Sequence, residues 1–349
     1  MISIRNDEEK RRIVTKRGYL MQIKYLVCNE FGNPKDVLQL AQKPMVTLAS
    51  QELYVRMLAC PINPSDLIPL RGSYAHRVRL PITPGYEGVG IVEAVGDDVS
   101  SQLIGQHVLP LRGEGTWQEM VKVHVDYTVP VPNDMAITTA SQLYINPLTA
   151  WVVCTEVLSL KPHHTVAINA CGSSLGRIFA QLAHIIGFTL IAIVRNERHT
   201  NELLAFGATH VINATTENIH ETIMALTHHQ GVDAAIDSIG GETGTNLAFS
   251  VKAKGDFITL GLLSGQQVNW ARIANDTTVN TTVFHLRHWN RQTSVAKWQA
   301  TFQIVIALVE SGKIKLYTEG KQYSFSQIAQ AIDAVNSGEQ GKVFLIGNV

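Results

Sequence analysis

The stretch Thr165–Arg195, TVAINACGSSLGRIFAQLAHIIGFTLIAIVR, decides the predicted fold. It opens with an apolar run of strand length, Thr165–Ala170, and continues through a turn of small residues, Cys171–Gly176. Apolar side chains then follow one face of a predicted helix that ends at Gly187. A second apolar run, Thr189–Val194, completes a strand–helix–strand unit. This order is typical of a dinucleotide site, in which small residues let the backbone approach a pyrophosphate at a helix N-terminus.

The turn in this unit is a degenerate form of the G-x-G-x-x-G fingerprint. Both flanking glycines are present, but serines stand where a stricter pattern has glycine. We predict that the whole turn binds the pyrophosphate of the cofactor, through Gly172, Ser173, Ser174, Leu175 and Gly176. The alternative is a tight strand-to-helix turn without a ligand.

The end of the second strand indicates which nicotinamide cofactor is bound. An NAD site usually has an acidic residue at this position, which accepts hydrogen bonds from the ribose hydroxyls. This chain has Arg195 instead, and Arg198 follows closely. Because a guanidinium pairs with a 2′-phosphate that a carboxylate would repel, both arginines are predicted to bind NADPH. The alternative is that they are ordinary surface residues at the start of a helix.

The composition favours a soluble enzyme of two domains, since the chain has 349 residues of which 45% are hydrophobic. The 29 lysines and arginines balance 29 acidic residues, so no basic field attracts nucleic acid or an acidic membrane. No apolar run is long enough to span a bilayer. The four cysteines lack metal-ligand or disulfide spacing, which suits a reducing cytoplasm. We therefore expect a cytoplasmic protein that acts on a small molecule, without nucleic-acid or membrane partners.

Three zones follow one another along the chain. Residues 24–141 are rich in proline and have the pattern of short strands and turns. Residues 143–265 alternate between strand and helix patterns, which indicates a parallel, doubly wound sheet. The remainder contains two predicted helices and a terminal strand, 342–346. The sequence therefore predicts a β-rich domain and an α/β domain.

Five motifs carry a resemblance to the medium-chain dehydrogenases/reductases, which runs from about residue 21 onward. They are Ala59–Asp66 (ACPINPSD), Pro84–Val92 (PGYEGVGIV), Ala170–Gly176, Ile236–Gly241 (IDSIGG) and Gly341–Val343. The resemblance implies an α/β fold with a Rossmann doubly wound parallel sheet and a GroES-like β-rich catalytic domain. It also implies a substrate cleft between the two domains, and a homodimer.

The resemblance also implies where the domains begin and end. Residues 21–143 and 292–349 are assigned to the GroES-like catalytic domain, and residues 144–291 to the Rossmann NADPH-binding domain. Residues 1–20 are charged and lack the apolar segment of a secretory signal, so we expect a disordered leader. A mitochondrial-type presequence is the alternative, because the segment is basic.

The zinc ligands of the family are missing from the matching positions. Zinc-dependent members carry Cys in the first motif, His-Glu in the second, and a further Cys or Asp downstream. Here these positions hold Asn63, Tyr86 next to Glu87, and Ile145. One carboxylate cannot make a tetrahedral site, which normally needs three protein ligands plus water. We therefore expect no metal, and without a Lewis acid simple alcohol oxidation becomes the less natural chemistry.

The zinc-free branches of the family include NADPH:quinone reductases and 2-enoyl thioester reductases. The segments around Asn63 and Tyr74 look closest to the thioester reductases, whose catalytic tyrosine maps onto Tyr74. Hydride addition to an activated alkene builds negative charge on the carbonyl oxygen, to which a protonated phenol can donate a hydrogen bond. The resemblance thus makes Tyr74 the expected catalytic group, with Asn63 near the nicotinamide. The alternative is that Tyr74 is only a half-buried aromatic residue in a polar loop.

Five further positions are expected to contact the cofactor. The family geometry places them at strand ends, at a helix start or on the C-terminal strand: Thr149, Ser238, Gly261, Leu262 and Lys342. The carboxyl edge of a parallel sheet is where ligands bind in such folds. The alternative for each of them is a purely structural role in a turn or a helix cap.

The resemblance implies an NADPH-dependent oxidoreductase that transfers hydride, without zinc, to an electron-poor C=C bond or a quinone. Enoyl thioester reduction is favoured. Quinone reduction is the first alternative, because both activities would use the same residues and a fold alone does not separate them. The second alternative is an NADPH-binding protein without efficient turnover.

Overall fold

The computed structural model describes residues 21–337 and 341–347, and the expected leader 1–20 lies outside them. The described chain folds as two compact units. The first unit contains the described residues up to Ile145 and those from Tyr317 onward, and the second unit is Asn146–Leu316.

The strands are β1 Gln22–Cys28, β2 Leu38–Pro44, β3 Glu52–Pro61, β4 Val89–Val95, β5 His107–Pro110, β6 Met120–His124, β7 Thr128–Pro130, β8 Thr165–Ile168, β9 Thr189–Val194, β10 His210–Asn213, β11 Val232–Asp237, β12 Val251–Thr259, β13 Asn280–Val283, β14 Gly320–Ser324 and β15 Lys342–Ile346. The α-helices are α1 Pro34–Val37, α2 Pro64–Leu67, α3 Ile137–Ala140, α4 Ile145–Val152, α5 Ser174–Ile186, α6 Thr200–Phe206, α7 Ile219–Leu226, α8 Gly241–Ala248, α9 Trp270–Asp276, α10 Leu286–Gln292, α11 Val295–Glu310 and α12 Ile328–Asn336.

The first unit is built on a seven-stranded sheet in the order β14-β15-β3-β4-β5-β7, with β6 also paired to β3. All its ladders are antiparallel except β14–β15. Strand β3 is central because β4 lies along one edge, while β6 and β15 share the other. Its apolar residues are buried on both faces: Leu53 and Val55 are 0% exposed, and Tyr54, which points to the opposite face, is 3% exposed. This architecture confirms the predicted β-rich domain.

The second unit contains a six-stranded parallel sheet in the order β10-β9-β8-β11-β12-β13. In sequence terms this order is 3-2-1-4-5-6, which is the Rossmann arrangement and confirms the predicted doubly wound sheet. Helices α5 to α9 provide the crossovers between successive strands. The order reverses between β8 and β11, so the carboxyl ends of these two strands form the switch point at which dinucleotides bind.

The second boundary of this unit falls after Leu316, whereas the family resemblance implied a boundary after residue 291. Helix α11 accounts for the difference, because its side chains bond within the second unit. Trp298 Nε1 donates to Asn290 Oδ1 at 2.9 Å, and Lys297 Nζ donates to Glu156 Oε2 at 2.6 Å. Both bonds attach α11 to residues of the α/β unit.

Candidate active site

The glycine turn between β8 and α5 has the geometry of a backbone cradle. Ser173 is the N-cap of α5, and its Oγ accepts the Gly176 N–H at 3.2 Å. A Cβ on Gly176 would lie 2.3 Å from Cys171 Cα, so only glycine fits there. The structure therefore places Gly172, Ser173, Ser174, Leu175 and Gly176 together at the start of a 13-residue helix, where backbone N–H groups favour an anion.

His199 packs against this turn, a neighbour that the sequence analysis did not identify. A Cβ on Gly172 would lie 2.7 Å from His199 Cδ2, so the glycine makes room for the imidazole. His199 Nδ1 is 3.7 Å from Glu202 Oε2, and Glu202 also pairs with Arg177 of α5. The Arg177–Glu202 ion pair thereby attaches helix α6 to helix α5, next to the turn.

Arg195 and Arg198 follow β9 and are both exposed. Asn196 caps the single turn that carries Arg198, since its Oδ1 accepts the Arg198 N–H at 3.1 Å. Within the described ranges neither arginine forms an ion pair with a carboxylate. Both guanidinium groups are therefore available to an external anion.

A buried amide–carboxylate pair organises the switch point. Asn169, just after β8, donates from Nδ2 to Asp237 Oδ1 at 2.5 Å and accepts the Ser238 N–H at 2.8 Å through Oδ1. The Asp237 carboxylate also accepts the N–H groups of Ile239 and Gly240 at 3.0–3.1 Å. Asn169 and Asp237 were not predicted, although a polar residue at each strand end was visible in the sequence.

Three of the predicted cofactor residues adjoin this pair. Ser238 O accepts the Leu263 N–H at 3.1 Å, and a Cβ on Gly261 would lie 2.8 Å from the same oxygen. The structure thus brings together Ser238, Gly261 and Leu262. Thr149 lies half-buried in α4.

The first unit contains a buried cluster of four polar side chains. Asn63, Asp66, Glu87 and Lys342 are each at most 6% exposed. Asp66 Oδ2 accepts the Asn63 N–H at 2.7 Å, and its Oδ1 accepts the Tyr86 N–H at 2.9 Å. The carboxylate therefore joins the motif that precedes α2 to the motif that precedes β4.

Glu87 and Lys342 complete this cluster. Glu87 accepts the Asn63 Nδ2–H at 2.6 Å and the Ile145 N–H at 2.8 Å. Lys342 Nζ donates to Asn63 Oδ1 at 2.5 Å. The structure thus places Lys342, which we predicted as a cofactor contact, against Asn63, the predicted catalytic amide.

Burial displaces the pKa values of the three charged groups in the cluster. It raises the pKa of Asp66 to about 7, with the nearby Glu87 charge acting in the same direction. Burial also raises the pKa of Glu87, against the opposing charge of Lys342. It lowers the pKa of Lys342, against the opposing charges of Glu87 and Asp66. Desolvation thus disfavours the charged form of each of the three groups.

Tyr74 lies in a turn, where its carbonyl oxygen accepts the N–H groups of Arg77 and Val78 at 2.9 Å. This turn stacks the Arg77 guanidinium on the Tyr74 ring. Burial raises the pKa of Tyr86, and Asp66 and Tyr74 raise it further, while Arg77 lowers it. Tyr74, Arg77 and Tyr86 are therefore electrostatic neighbours, and the last two were not predicted as site residues.

A cavity of about 500 Å³ lies within the first unit. Asp66 and Tyr86 line it together with Tyr144, and prolines and aliphatic side chains form much of the remaining wall. The ion pair Lys43–Glu114, with an Nζ to Oε2 distance of 3.0 Å, also faces it. This volume suits a small organic ligand.

Over residues 21–337 and 341–347, no group of three or more His, Cys, Asp or Glu side chains could hold a metal ion. Over the same residues, no helix is both long and apolar enough to cross a membrane.

Comparison with known proteins identifies the family. Residues 49–133 match the alcohol dehydrogenase GroES-like domain, and residues 174–311 match the zinc-binding dehydrogenase domain. The mitochondrial enoyl-[acyl-carrier-protein] reductase of Xenopus tropicalis is 34% identical over 70% of this chain and 71% of its own length. A putative NADPH:quinone reductase from Bacillus thuringiensis is 53% identical, with a TM-score of 0.92 over 94% of this chain and 100% of its own. Escherichia coli quinone oxidoreductase, crystallised with NADPH, shares the fold at 23% identity and a TM-score of 0.83, over 93% of this chain and 99% of its own. On these matches the chain belongs to the medium-chain dehydrogenase/reductase family.

Proposed function

We propose that this protein is an NADPH-dependent reductase that transfers hydride to an electron-poor C=C bond or a quinone, without zinc. The observation that carries the proposal is the glycine turn at the Rossmann switch point, combined with Arg195 at the end of β9. The relatives named as enoyl reductase and NADPH:quinone reductase support the same reaction class.

The chemistry of the second unit fits NADPH. The turn Gly172–Gly176 offers backbone N–H groups to the pyrophosphate, and a side chain at Gly176 would fill the cradle. Arg195 and Arg198 would hold the 2′-phosphate. The remaining proposed contacts are Thr149, Ser238, Gly261 and Leu262. NADPH, when bound, supplies the hydride.

Tyr74 is the proposed hydrogen-bond donor to the acceptor. When hydride adds to the β-carbon of an enoyl thioester, the C=C electron pair moves toward the carbonyl and leaves negative charge on its oxygen. The Tyr74 hydroxyl stabilises that charge by donating a hydrogen bond, and the α-carbon then takes up a proton. A quinone needs the same donor, because its carbonyl oxygen becomes a phenolate on reduction. Asn63, fixed within the buried cluster, is the proposed second polar group.

The donor set of the first unit does not suit zinc. Zinc sites use thiolate, imidazole and carboxylate ligands. The cluster offers an amide and two carboxyl groups, and the Lys342 ammonium lies among them. A cation already held at Asn63 opposes a second cation, so we propose that the reaction proceeds without a metal.

Two acceptor classes follow from the relatives. Enoyl thioesters are our first proposal, from the motifs around Tyr74 and the match to an enoyl-[acyl-carrier-protein] reductase. Quinones are the second proposed acceptor class, because the chain is 53% identical to a putative NADPH:quinone reductase. The cavity beside Tyr86, whose wall combines prolines and aliphatic side chains with charged groups, has room for part of either molecule.

We further propose a cytoplasmic homodimer. The four cysteines are free and buried, in keeping with a reducing compartment. All four residues of the edge strand β13 are exposed, and an uncovered strand edge can pair with a second copy. Sedimentation of the wild type beside a β13 variant carrying Thr281→Pro tests this part. The Phe284 N–H donates inward to Thr259 O, so the N–H of Thr281, which points the opposite way along the strand, faces the open edge and is removed by proline.

The deciding experiment follows NADPH oxidation by metal-stripped protein, with a trans-2-enoyl-CoA and a soluble quinone assayed in parallel. Turnover of the enoyl-CoA alone supports the thioester reductase, and turnover of the quinone alone supports the second candidate. Loss of activity on stripping, restored by zinc, contradicts the zinc-free mechanism. Tight NADPH binding without turnover of either acceptor contradicts the enzyme and favours the binding protein.

A further inference from the structure

Lys342 brings a buried ammonium group to the first unit from the start of β15. The Ile62 N–H donates to Val343 O at 2.9 Å, so the backbone of β15 runs beside the segment that carries Asn63. On the other side, Lys342 is paired with Gly320 of β14, where a Cβ would lie 2.1 Å from Lys342 O. The start of β15, which carries the lysine, is therefore fixed by backbone bonds on both sides.

The Asn63 side chain bridges two opposite charges. Its Oδ1 accepts from the Lys342 ammonium at 2.5 Å, and its Nδ2 donates to Glu87 Oε1 at 2.6 Å. Rotating the amide by half a turn would direct the NH₂ group at the ammonium and the oxygen at the carboxylate. Both contacts would then be repulsive, because an ammonium only donates and a carboxylate only accepts. One amide orientation is thus selected by the two charged partners.

We propose that Lys342 is a positioning residue, whose ammonium holds the Asn63 amide in this orientation and balances the buried carboxyl groups of Glu87 and Asp66, and that it does not contact NADPH. The role in turnover rests on the reductase function proposed above. The charge-balancing role stands on the cluster alone. Lys342 is thereby removed from the predicted cofactor contacts.

The Lys342 ammonium affects the pKa values of the ionisable groups around it. Asp66 and Glu87 belong to the cluster, Tyr86 is coupled to Asp66, and the buried Cys60 thiol is coupled to both carboxyl groups. The Lys342 charge lowers the pKa values of Asp66 and Glu87. Removing that charge therefore raises both values further and favours protonated carboxyl groups at neutral pH.

The first test compares Lys342→Met with Lys342→Arg, and uses Lys313→Met, at an exposed lysine, as the matched control. In Lys342→Met we expect kcat to fall at least about tenfold. In a plot of kcat against pH, the acidic side of the profile should move by about one pH unit to higher pH. The Kd for NADPH, measured by fluorescence quenching, should stay within about twofold. Lys342→Arg should return the acidic side of the profile toward its wild-type position, since it keeps the charge. A tenfold rise in the Kd with an unmoved pH profile would overturn the proposal and restore Lys342 as a cofactor contact.

A second variant keeps the proposal testable if Lys342→Met folds poorly. The double variant Lys342→Met/Glu87→Gln removes one negative charge together with the positive one, so it should unfold at a higher temperature than Lys342→Met alone. A double variant no more stable than the single one contradicts the charge-balancing role. This measurement needs no turnover, so it still tests the cluster if neither acceptor is reduced and the proposed function fails.

Discussion

The guanidinium carbon of Arg77 lies 3.6 Å from the centre of the Tyr74 ring. At this distance the cation is attracted to the negative face of the aromatic system. Arg77 Nη1 is buried and has no hydrogen-bond partner among the described residues. The ring face is therefore a main contact of the guanidinium, and the two side chains restrict each other.

Tyr74→Phe should cut kcat by about 10²–10⁴-fold, because it removes the proposed donor to the acceptor oxygen. The Kd for NADPH should not change, since Tyr74 is absent from the proposed cofactor contacts. The matched control is Tyr25→Phe, another half-buried tyrosine with a cation over its ring. Steady-state kinetics and fluorescence titration measure both quantities, and a fully active variant would exclude Tyr74 from the mechanism.

Arg77→Met should lower kcat about tenfold, the equivalent of about 1.4 kcal/mol, because the ring loses its cation. It should also raise the pKa of Tyr86, which Arg77 lowers in the wild type. Phenolate absorbance followed against pH, with and without Tyr86→Phe, assigns that titration. Arg272→Met, which removes a guanidinium 4.7 Å from the Phe249 ring, is the control. Equal kinetic losses in both variants would rule out a specific role for Arg77.

Arg195→Glu should weaken NADPH binding about 100-fold while leaving NADH binding within a few-fold, because a carboxylate repels only the 2′-phosphate. Titration of each cofactor measures the change. The control is Arg291→Glu, at another exposed arginine. If both cofactors lost affinity equally, Arg195 would not be the residue that recognises the phosphate.

Asp66→Asn should change how stability depends on pH. The carboxyl pKa is about 7 in the folded protein against an ordinary value of 3.8, so the folded state binds more protons between these values. The contribution of Asp66 to the free energy of unfolding of the wild type is therefore fully present below pH 3.8 and is lost as the pH rises toward 7. The free energy of unfolding of the variant, relative to wild type, should rise with pH over that window by up to about 1.4 kcal/mol per unit. Urea unfolding at pH 5, 6 and 7 measures this difference between variant and wild type. The same difference at all three pH values would show that Asp66 does not titrate in this range.

Local sequence patterns predicted the second unit well. The apolar runs of β8 and β9 enclose the small residues of the turn and the amphipathic α5, so chain order alone indicated the parallel sheet. The helix α11 shows the limit of this reasoning. The apolar face of α11 predicts that the helix is buried. The unit to which α11 belongs, however, depends on partners outside the helix, such as Asn290 and Glu156.

The buried cluster could not be derived from spacing. Lys342 opens a short strand and has the sequence signature of a solvated lysine, because its partner Asn63 is 279 positions away. The Asn169–Asp237 bond, which spans 68 positions, is hidden in the same way. In both cases two strand ends meet only after the sheet has formed. The family motifs made Asn63 and Tyr74 candidate site residues, but only the tertiary structure shows the charged groups that surround them.

The pairing of β3 with β15 also determines the order in which the units can form during translation. Ala59 pairs with Ile346 and Cys60 with Leu345, so this edge of β3, opposite the one that pairs with β4, stays open until the last described strand leaves the ribosome. Every strand of the second unit has been synthesised by then. The nascent chain therefore carries an apolar, unpaired strand edge while the α/β unit folds, and such edges invite wrong pairing with other chains. The first unit to begin is the last to be completed, and the end of β3 is where a stalled or shortened chain would aggregate.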